Sequence, residues 1–248
     1  MIDQHPLFVL GAALAVFVAA AAFPDPARAE DDGTISGKVV FKGGLEAAPK
    51  RTVVKMQGDP WCHKLGHRVG TEKVIVNKDG TLRNVVVYVK KGLGDRKFDP
   101  PDQAVVIDQV GCQYKPHVLA MMTGQTLKIK NSDNNGHNIH GLCKKNAEFN
   151  ISQTKATKPG MERKLTFKKP EAFKVKCDIH GWMAAYVVVL DHPFSDVTGK
   201  QGTFTLSNLP AGDYVVEAWH EEYGTMTQKV TVAEGPAPEM EFVFDPKR

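Results

Sequence analysis

The stretch VKCDIHGWMAAYVVVL, residues 175–190, places Cys177, His180 and Met183 three positions apart. The segment FKVKC that leads into it alternates apolar and basic residues, so its apolar side chains and the cysteine share one face of a predicted strand. The apolar run that follows the methionine predicts a second strand. A thiolate, an imidazole and a thioether therefore lie on one short loop between two strands.

This combination of ligand types narrows the choice of metal. Hard cations do not use sulfur ligands, and structural zinc sites have no use for a methionine. Two histidines, one cysteine and a weak axial methionine form the ligand set of a blue-copper electron-transfer site. The second histidine is present in LKIKNSDNNGHNIHG, residues 127–141, where His137 follows a predicted strand and a polar turn. Cys177 lies 40 residues further on, which fits two adjacent loops at one end of a β-sandwich.

The motif H-N-x-H followed by C-x2-H-x2-M resembles the cupredoxins, and its short loop is most similar to amicyanin and related methylamine-utilisation proteins. The resemblance extends over residues 119–190. It implies a Greek-key β-sandwich with one type 1 copper ion, held by His137, Cys177, His180 and Met183. It also implies that the Asn138 side chain ties the two ligand loops together. It further implies that the ring edge of His180 reaches the surface as the exit for electrons, with Gly181, Trp182 and Met183 as an apolar rim for docking.

Two other interpretations of the motif remain open at this stage. In the first, Cys177 is a buried thiol or one half of a disulfide, and Met183 is an ordinary residue of the hydrophobic core. A zinc site built from His137, His140, Cys177 and His180 is the chemical alternative to copper. We expect His140 to lie at the edge of the site rather than to be a ligand.

The remainder of the chain also indicates an all-β protein. Short alternating segments recur between turn residues, and no long apolar pattern of period 3.6 follows the first 29 residues. A single helical segment is predicted near residues 60–67. The predicted strands cover residues 34–41, 84–90, 105–109, 126–130, 164–167, 173–177, 185–190, 203–206, 214–219, 228–232 and 241–244.

The last part of the chain has a pattern of its own. GTFTLSNLPAGDY, residues 202–214, resembles the carboxypeptidase-regulatory-like module, a small transthyretin-like β-sandwich. We therefore predict a cupredoxin-like domain with an N-terminal extension over residues 30–190 and a second β module over residues 191–248. Such modules begin with a strand like that at residues 34–43, so either this strand completes the module or the module stands alone.

The N-terminal residues 1–29 have the character of an export signal. An apolar run over residues 7–22 precedes two prolines and the small-x-small sequence Ala27-Arg28-Ala29. The alternative is an uncleaved anchor, but a run of 16 residues is shorter than the roughly 20 that span a bilayer. The sequence predicts a periplasmic or secreted protein with no membrane span after cleavage.

Three further cysteines are present. Cys62 and Cys112 each have a histidine close by, and in an exported protein they are candidates for a disulfide. The competing interpretation is a second metal site made of Cys62, His63 or His67, Cys112 and His117. Cys143 then remains as an odd thiol. His220 has no ligand spacing around it, and we expect it to lie on the surface at the end of a strand.

The charge distribution bears on the partner. Residues 144–176 contain ten Lys or Arg and three acids, whereas residues 191–248 contain ten acids and four bases. The basic stretch runs into the ligand loop, so it predicts a positive collar that steers an acidic partner, although solvation of strand faces explains it equally well. No basic-aromatic motif for nucleic acid is present.

These observations predict a one-electron carrier that exchanges electrons with a redox protein such as a c-type cytochrome or a dehydrogenase. No Ser-His-Asp, paired-carboxylate or phosphate-loop pattern appears, so we do not expect an enzyme. One alternative function is copper binding or handling without electron transfer. The other is a β-sandwich that binds carbohydrate or another ligand.

Overall fold

The structure is a computed structural model that describes Met1 and residues 33–65, 69–233 and 239–246. The predicted export signal, residues 1–29, lies outside the described residues apart from Met1, and so does His67. Within the described ranges, the helices are all too short or too polar to cross a membrane.

Strands dominate the described residues, and both helices are single short turns. The elements in chain order are β1 (Gly33–Phe41), α1 (Gly44–Ala47), α2 (Pro60–Lys64), β2 (Val86–Lys91), β3 (Val105–Gln109), β4 (Tyr114–Lys115), β5 (Val118–Met122), β6 (Leu127–Asn131), β7 (His137–Gly141), β8 (Phe149–Gln153), β9 (Arg163–Leu165), β10 (Glu171–Lys176), β11 (Ala184–Leu190), β12 (Ser195–Val197), β13 (Thr203–Leu209), β14 (Gly212–His220), β15 (Gly224–Val232) and β16 (Met240–Phe244). The predicted helical segment at 60–67 corresponds to α2, which ends at Lys64.

The first β-sandwich carries the predicted metal motif. One of its sheets has the strand order β5-β11-β10-β7-β8 and the other has the order β4-β3-β6-β9. The inward side chains of both sheets form one buried cluster that includes Ile129, Val175 and Val187. Phe173 and Val175 are buried while Lys174 is exposed, so the predicted alternation of FKVKC is confirmed.

The second β-sandwich combines distant parts of the chain. Its sheets have the orders β13-β1-β16 and β12-β2-β14-β15. Strand β1 lies between β13, to which it is antiparallel, and β16, to which it is parallel. The segment that resembles the first strand of a carboxypeptidase-regulatory-like module therefore does pair with the C-terminal segment. Strand β2, inside the range 30–190 that we assigned to the cupredoxin-like domain, pairs with β12 and β14 of the second sandwich.

The two sandwiches meet along a small apolar cluster. Val86 of β2, Val118 of β5 and Val188 of β11 are each buried there. A polar contact lies beside this cluster, where the ring of His117 bonds to the carboxylate of Glu221. The all-β prediction with two β-sandwiches is confirmed.

One residue of the second sandwich differs from our expectation. We expected His220 to lie on the surface at a strand end, but it is 1% exposed and its ring stacks on Tyr223 at 5.1 Å between centroids. Burial lowers the pKa of His220 to about 4, so the ring is a neutral part of the core.

Candidate metal centre

The loop between β10 and β11 contains three of the four predicted ligands. Two backbone bonds close it: the Cys177 N–H donates to the Met183 carbonyl at 3.2 Å, and the Met183 N–H donates to the His180 carbonyl at 2.9 Å. Strand β7 is antiparallel to β10, with His140 opposite Lys176. His137, at the first position of β7, therefore lies at the same end of the sandwich as the loop.

The side chains of His137, Cys177 and His180 converge. The two Nδ1 atoms lie 3.0 Å apart, and the Cys177 Sγ lies 3.8 Å from the Nδ1 of His180. One ligand atom from each residue falls within 4.8 Å of the others, and all three residues are buried. Met183 is 1% exposed and belongs to the same core cluster as Cys177.

The pKa shift of Cys177 favours its thiolate form, which is the form of the sulfur that binds a metal ion. Burial raises the pKa of the Cys177 thiol, but hydrogen bonds from His137 and from backbone N–H groups outweigh burial and hold that pKa below its usual value. Burial lowers the pKa of His137, whereas Asp133 and Cys177 raise it, and the resulting pKa is about 9. Burial also lowers the pKa of His180. Thiolate and neutral imidazole are the forms that bind a metal ion.

Each histidine turns its outer nitrogen toward a carboxylate. The Nε2 of His137 lies 2.9 Å from Asp133, and the Nε2 of His180 lies 3.2 Å from Asp59. Neither aspartate was predicted from the sequence to lie at the site. Asp59 directly precedes Pro60, and Asp followed by Pro at the first helical position is the pattern of a helix N-cap. Its carboxylate does accept the Cys62 N–H of α2 at 2.8 Å.

The Asp59 contact also changes the expected surface of the site. The resemblance to cupredoxins implied that the ring edge of His180 reaches the surface, but His180 is 1% exposed. We also expected an apolar rim formed by Gly181, Trp182 and Met183. Met183 is buried, so it is not part of such a rim. The exposed apolar residue of the loop is Ile179, at 60%.

Asn138 joins the two ligand loops as the resemblance implied. Its Oδ1 accepts the backbone N–H of Asp178 at 2.8 Å and lies 3.2 Å from the Cys177 Sγ. Its Nδ2 donates to the Asp178 carboxylate at 2.9 Å. The expected role of Asn138 as a tie between loops is confirmed.

His140 stays outside the convergent group. Its ring lies between the carboxylates of Asp178 and Glu148, at 3.0 Å and 2.7 Å. This position agrees with our expectation that His140 lies at the edge of the site. The zinc alternative required His140 beside His137, Cys177 and His180, and the structure does not bring it there.

The other cysteines are also placed. Cys62 and Cys112 form a disulfide, which confirms the first of our two interpretations and leaves no thiolate for a second metal site. His117, the expected fourth member of that site, bonds to Glu221 and to the Ala184 carbonyl instead. Cys143 is a buried free thiol, and burial raises its pKa to about 12. Such a thiol is a poor nucleophile and a poor ligand.

The residues present fit a copper ion. Two imidazole Nδ1 atoms and one sulfur whose pKa is lowered converge in a buried site, with a thioether residue on the same loop. Imidazole together with soft sulfur is a donor set suited to copper. The fold and the site thus define a protein with a cupredoxin-like metal site in the first of two β-sandwiches.

Comparison with known families agrees with both resemblances. Residues 101–190 match the family of copper binding proteins of the plastocyanin/azurin type, and residues 183–245 match the carboxypeptidase regulatory-like domain. Neither match reaches half of the chain. The matched segments confirm the two predicted resemblances and support copper as the metal. No curated protein matches the chain.

Solved structures with a similar part include an oxidised amicyanin variant, at 23% identity and a TM-score of 0.31 over 42% of this chain and 98% of that one. A purple cupredoxin from Nitrosopumilus maritimus matches at 20% identity and a TM-score of 0.29, over 35% of this chain and 99% of that one. A Cu-containing nitrite reductase from Thermus scotoductus SA-01 matches at 20% identity and a TM-score of 0.33, over 41% of this chain. This last match spans 25% of the reductase chain.

Proposed function

We propose that the chain is a periplasmic or secreted type 1 copper protein that carries single electrons between redox partners. The observation that carries this proposal is the convergence of His137, Cys177 and His180 in a buried site within the segment that matches the copper-binding family. Met183 on the same loop completes the proposed ligand set for one ion.

A bound copper ion would supply a one-electron couple at this position. The contribution of the protein is to fix the donors in advance. Backbone bonds within the loop hold Cys177 and Met183 together, and Asn138 fixes the distance between the loops. A donor set that is fixed in this way suits both oxidation states, so little rearrangement accompanies electron transfer.

Burial supports a carrier rather than an enzyme. A catalytic metal needs a coordination position that substrate can reach. His137, Cys177 and His180 are each at most 2% exposed, and Asp59 covers the outer edge of His180. The nitrite reductase among the similar structures binds copper according to its name, but its match is limited to a quarter of that chain.

The basic residues of the segment 144–176 support an acidic partner. All ten lie within the described residues, and nine of them are exposed. Of these ten, only Lys176 forms an ion pair, with Asp178 at 2.7 Å. Glu171, one of the three acids in this segment, accepts the backbone N–H groups of Lys144 and Lys145. The positive charge is therefore largely uncompensated and would steer an acidic redox protein such as a c-type cytochrome.

The absorption spectrum of the protein with Cu(II) tests the metal site. A strong band near about 600 nm is expected from bonding between the Cys177 thiolate and copper. Cys177→Ala should abolish this band, while the matched variant Cys143→Ala, which also removes a buried free thiol, should retain it. A wild-type protein without the band, or a band that survives in Cys177→Ala, would rule out the proposed site.

A second function, copper binding without electron transfer, is favoured by one observation. The ring edge of His180 is covered by Asp59, so this ligand offers no exposed edge to a partner. Stopped-flow mixing with an acidic c-type cytochrome separates the two functions. A carrier should exchange electrons at a rate that falls as ionic strength rises. A protein that shows the visible band but exchanges no electrons is a copper-holding protein.

A further inference from the structure

The two carboxylates that face the ligand histidines share an attachment. The Cys62 N–H donates to Asp59 at 2.8 Å, and the Cys112 N–H donates to Asp133 at 2.8 Å. Cys62 and Cys112 are the two halves of the disulfide. The disulfide is thus linked to His180 through Asp59 and to His137 through Asp133. Each carboxylate accepts the N–H of one disulfide cysteine and lies within hydrogen-bond distance of the Nε2 of one ring.

The backbone conformation at Gly111 and Cys112 directs the N–H groups of both residues at Asp133. Gly111 and Cys112 both have positive φ, at 64° and 56°, and the left-handed region is unfavourable for a cysteine. In this conformation both of their N–H groups point at Asp133, at 2.7 Å and 2.8 Å. Strained backbone of this kind persists where the surroundings enforce it, and it concentrates at functional sites.

The Cys62 side depends on the disulfide for its position. Helix α2 has five residues, and a helix of this length is not stable without external contacts. Besides the S–S bond, the Cys62 Sγ accepts the Asn135 side-chain N–H at 3.6 Å and lies 3.9 Å from the Nε2 of His180. The bond to Cys112 therefore holds α2, and with it Asp59, against the ligand histidine.

A carboxylate that faces the Nε2 of a histidine determines whether the Nδ1 of the same ring is protonated. A neutral imidazole has one N–H, and a carboxylate accepts it, so Nε2 carries the proton and Nδ1 keeps its lone pair. Because both outer nitrogens face carboxylates, both rings can present bare Nδ1 atoms to one point. That point is where the Cys177 sulfur also lies.

We propose that the Cys62–Cys112 disulfide is a positioning element of the metal centre, which sets the tautomer and orientation of both ligand histidines through Asp59 and Asp133. This inference rests on the proposed function, because it assumes that a metal binds at the two Nδ1 atoms. In this proposal the two aspartates act through the histidines and are not themselves ligands.

The first test uses metal-free protein. Nitrogen NMR of the imidazole rings should show the Nε2–H tautomer for His180 and for neutral His137 in the wild type. Asp59→Asn replaces an acceptor by an amide whose N–H faces the ring, so His180 should change to the Nδ1–H tautomer. Asp133→Asn replaces one of two oxygens that both accept backbone N–H groups, so it should weaken the preference of His137 for the Nε2–H tautomer. Unchanged tautomers in both variants would overturn the positioning role.

The second test measures affinity for Cu(II) by competition with a chelator. Each Asp→Asn variant should bind about 10- to 100-fold more weakly than the wild type. Asp196→Asn is the matched control, because Asp196 also accepts two backbone N–H groups but lies in the second sandwich. Its affinity should equal that of the wild type, and an equal loss in Asp196→Asn would overturn the inference.

The role of the disulfide itself is tested by a double-mutant cycle. Cys62→Ser with Cys112→Ser should weaken binding, and adding Asp59→Asn to this pair should cost less than it does in the wild type. Fully additive losses would show that Asp59 acts independently of the disulfide and overturn the proposal. If the serine pair does not fold, the same NMR readout on folded wild-type protein whose Cys62–Cys112 disulfide has been reduced decides instead, and unchanged tautomers there would overturn the proposal.

The outcomes are distinguishable from failure of the proposed function. A wild-type protein that shows the expected tautomers but no band near about 600 nm refutes the type 1 copper site and leaves the histidine positioning established. A protein with the band whose tautomers and affinity do not respond to Asp59→Asn and Asp133→Asn retains the function and refutes the positioning.

Discussion

The Nδ1 atom of His137 lies 3.0 Å from the Nδ1 atom of His180. Two bare lone pairs at this separation repel each other, so a proton or a metal ion must lie between or beside them. In the metal-free protein the proton is on His137: burial lowers its pKa, but Asp133 and Cys177 raise it to about 9. A metal ion that binds here has to displace that proton.

The affinity for Cu(II) should therefore increase with pH. Below the His137 pKa of about 9 one proton is released from this ring on binding, so this ring alone makes the affinity rise about tenfold per pH unit until that pKa is reached. Calorimetry in buffers of different ionisation enthalpy counts the released protons. His140→Ala should leave the profile unchanged, since His140 is not in the convergent group. An affinity independent of pH from 7 to about 9 would place the proton elsewhere.

Replacement of Asn138 by alanine should destabilise the metal-free protein. Asn138 is 4% exposed and accepts the Asp178 N–H. Its replacement by alanine leaves this N–H without its acceptor and leaves a gap between the ligand loops. We expect the free energy of unfolding in urea to fall by about 1–3 kcal/mol. Asn150→Ala is the control, because Asn150 bonds to the same Asp178 carboxylate but is exposed. Its cost should stay below about 0.5 kcal/mol, and equal costs for both variants would contradict the assigned role.

The metal motif was readable from the sequence because its information is local. Cys177, His180 and Met183 lie on one loop, and the strand before it alternates with period two. The same locality explains why Val105–Gln109 was predicted to the residue. By contrast, β5 was not predicted, because VLAMM contains no alternation of apolar and polar residues. Strand β8 was missed as well, although Phe149 to Ser152 does alternate.

The features that were not predicted from the sequence depend on contacts between residues that are far apart in the chain. Asp59 reaches His180 across 121 positions, and nothing near either residue indicates the pairing. The assignment of β2 to the second sandwich has the same cause, since Val86–Lys91 pairs with a strand more than 120 positions later. Only Asp133 had a local signal: it precedes His137 by four residues, but its carboxylate meets the ring because of the turn between them.

Strand β1 should be essential to the second sandwich and of little consequence to the first. Phe41 is 0% exposed and its ring lies 5.5 Å from that of Tyr223, so Phe41→Ala should cost about 3–5 kcal/mol. Hydrogen exchange followed by mass spectrometry should then show faster exchange in β13 to β16 than in β10 and β11. Val40→Ala, on the other face of the same strand, should change exchange little. Equal acceleration in both sandwiches would show that they unfold as one unit.

The contact between His117 and Glu221 should make the junction of the sandwiches sensitive to pH. Both ring nitrogens of His117 face acceptors, the Ala184 carbonyl at 3.0 Å and the Glu221 carboxylate, and Glu72 lies 3.9 Å from Nδ1. Burial lowers the pKa of His117, but the carboxylates outweigh it and raise that pKa above its usual value. The folded state therefore holds the proton more tightly than the unfolded chain does.

The sign of the effect follows from this raised pKa. Stabilisation by the charged pair is fully present below about pH 6.5, the unfolded value, and is lost as pH rises through the folded value. Glu221→Gln should lower the free energy of unfolding by about 2 kcal/mol at pH 6 and by less at pH 9. The control is Glu222→Gln, because Glu222 is exposed and pairs with Lys73 on the surface. Its effect should be below about 0.5 kcal/mol at either pH. A Glu221→Gln effect that is as large at pH 9 as at pH 6 would mean that His117 is neutral in the folded protein over this range, because only a charged ring loses this stabilisation as it deprotonates.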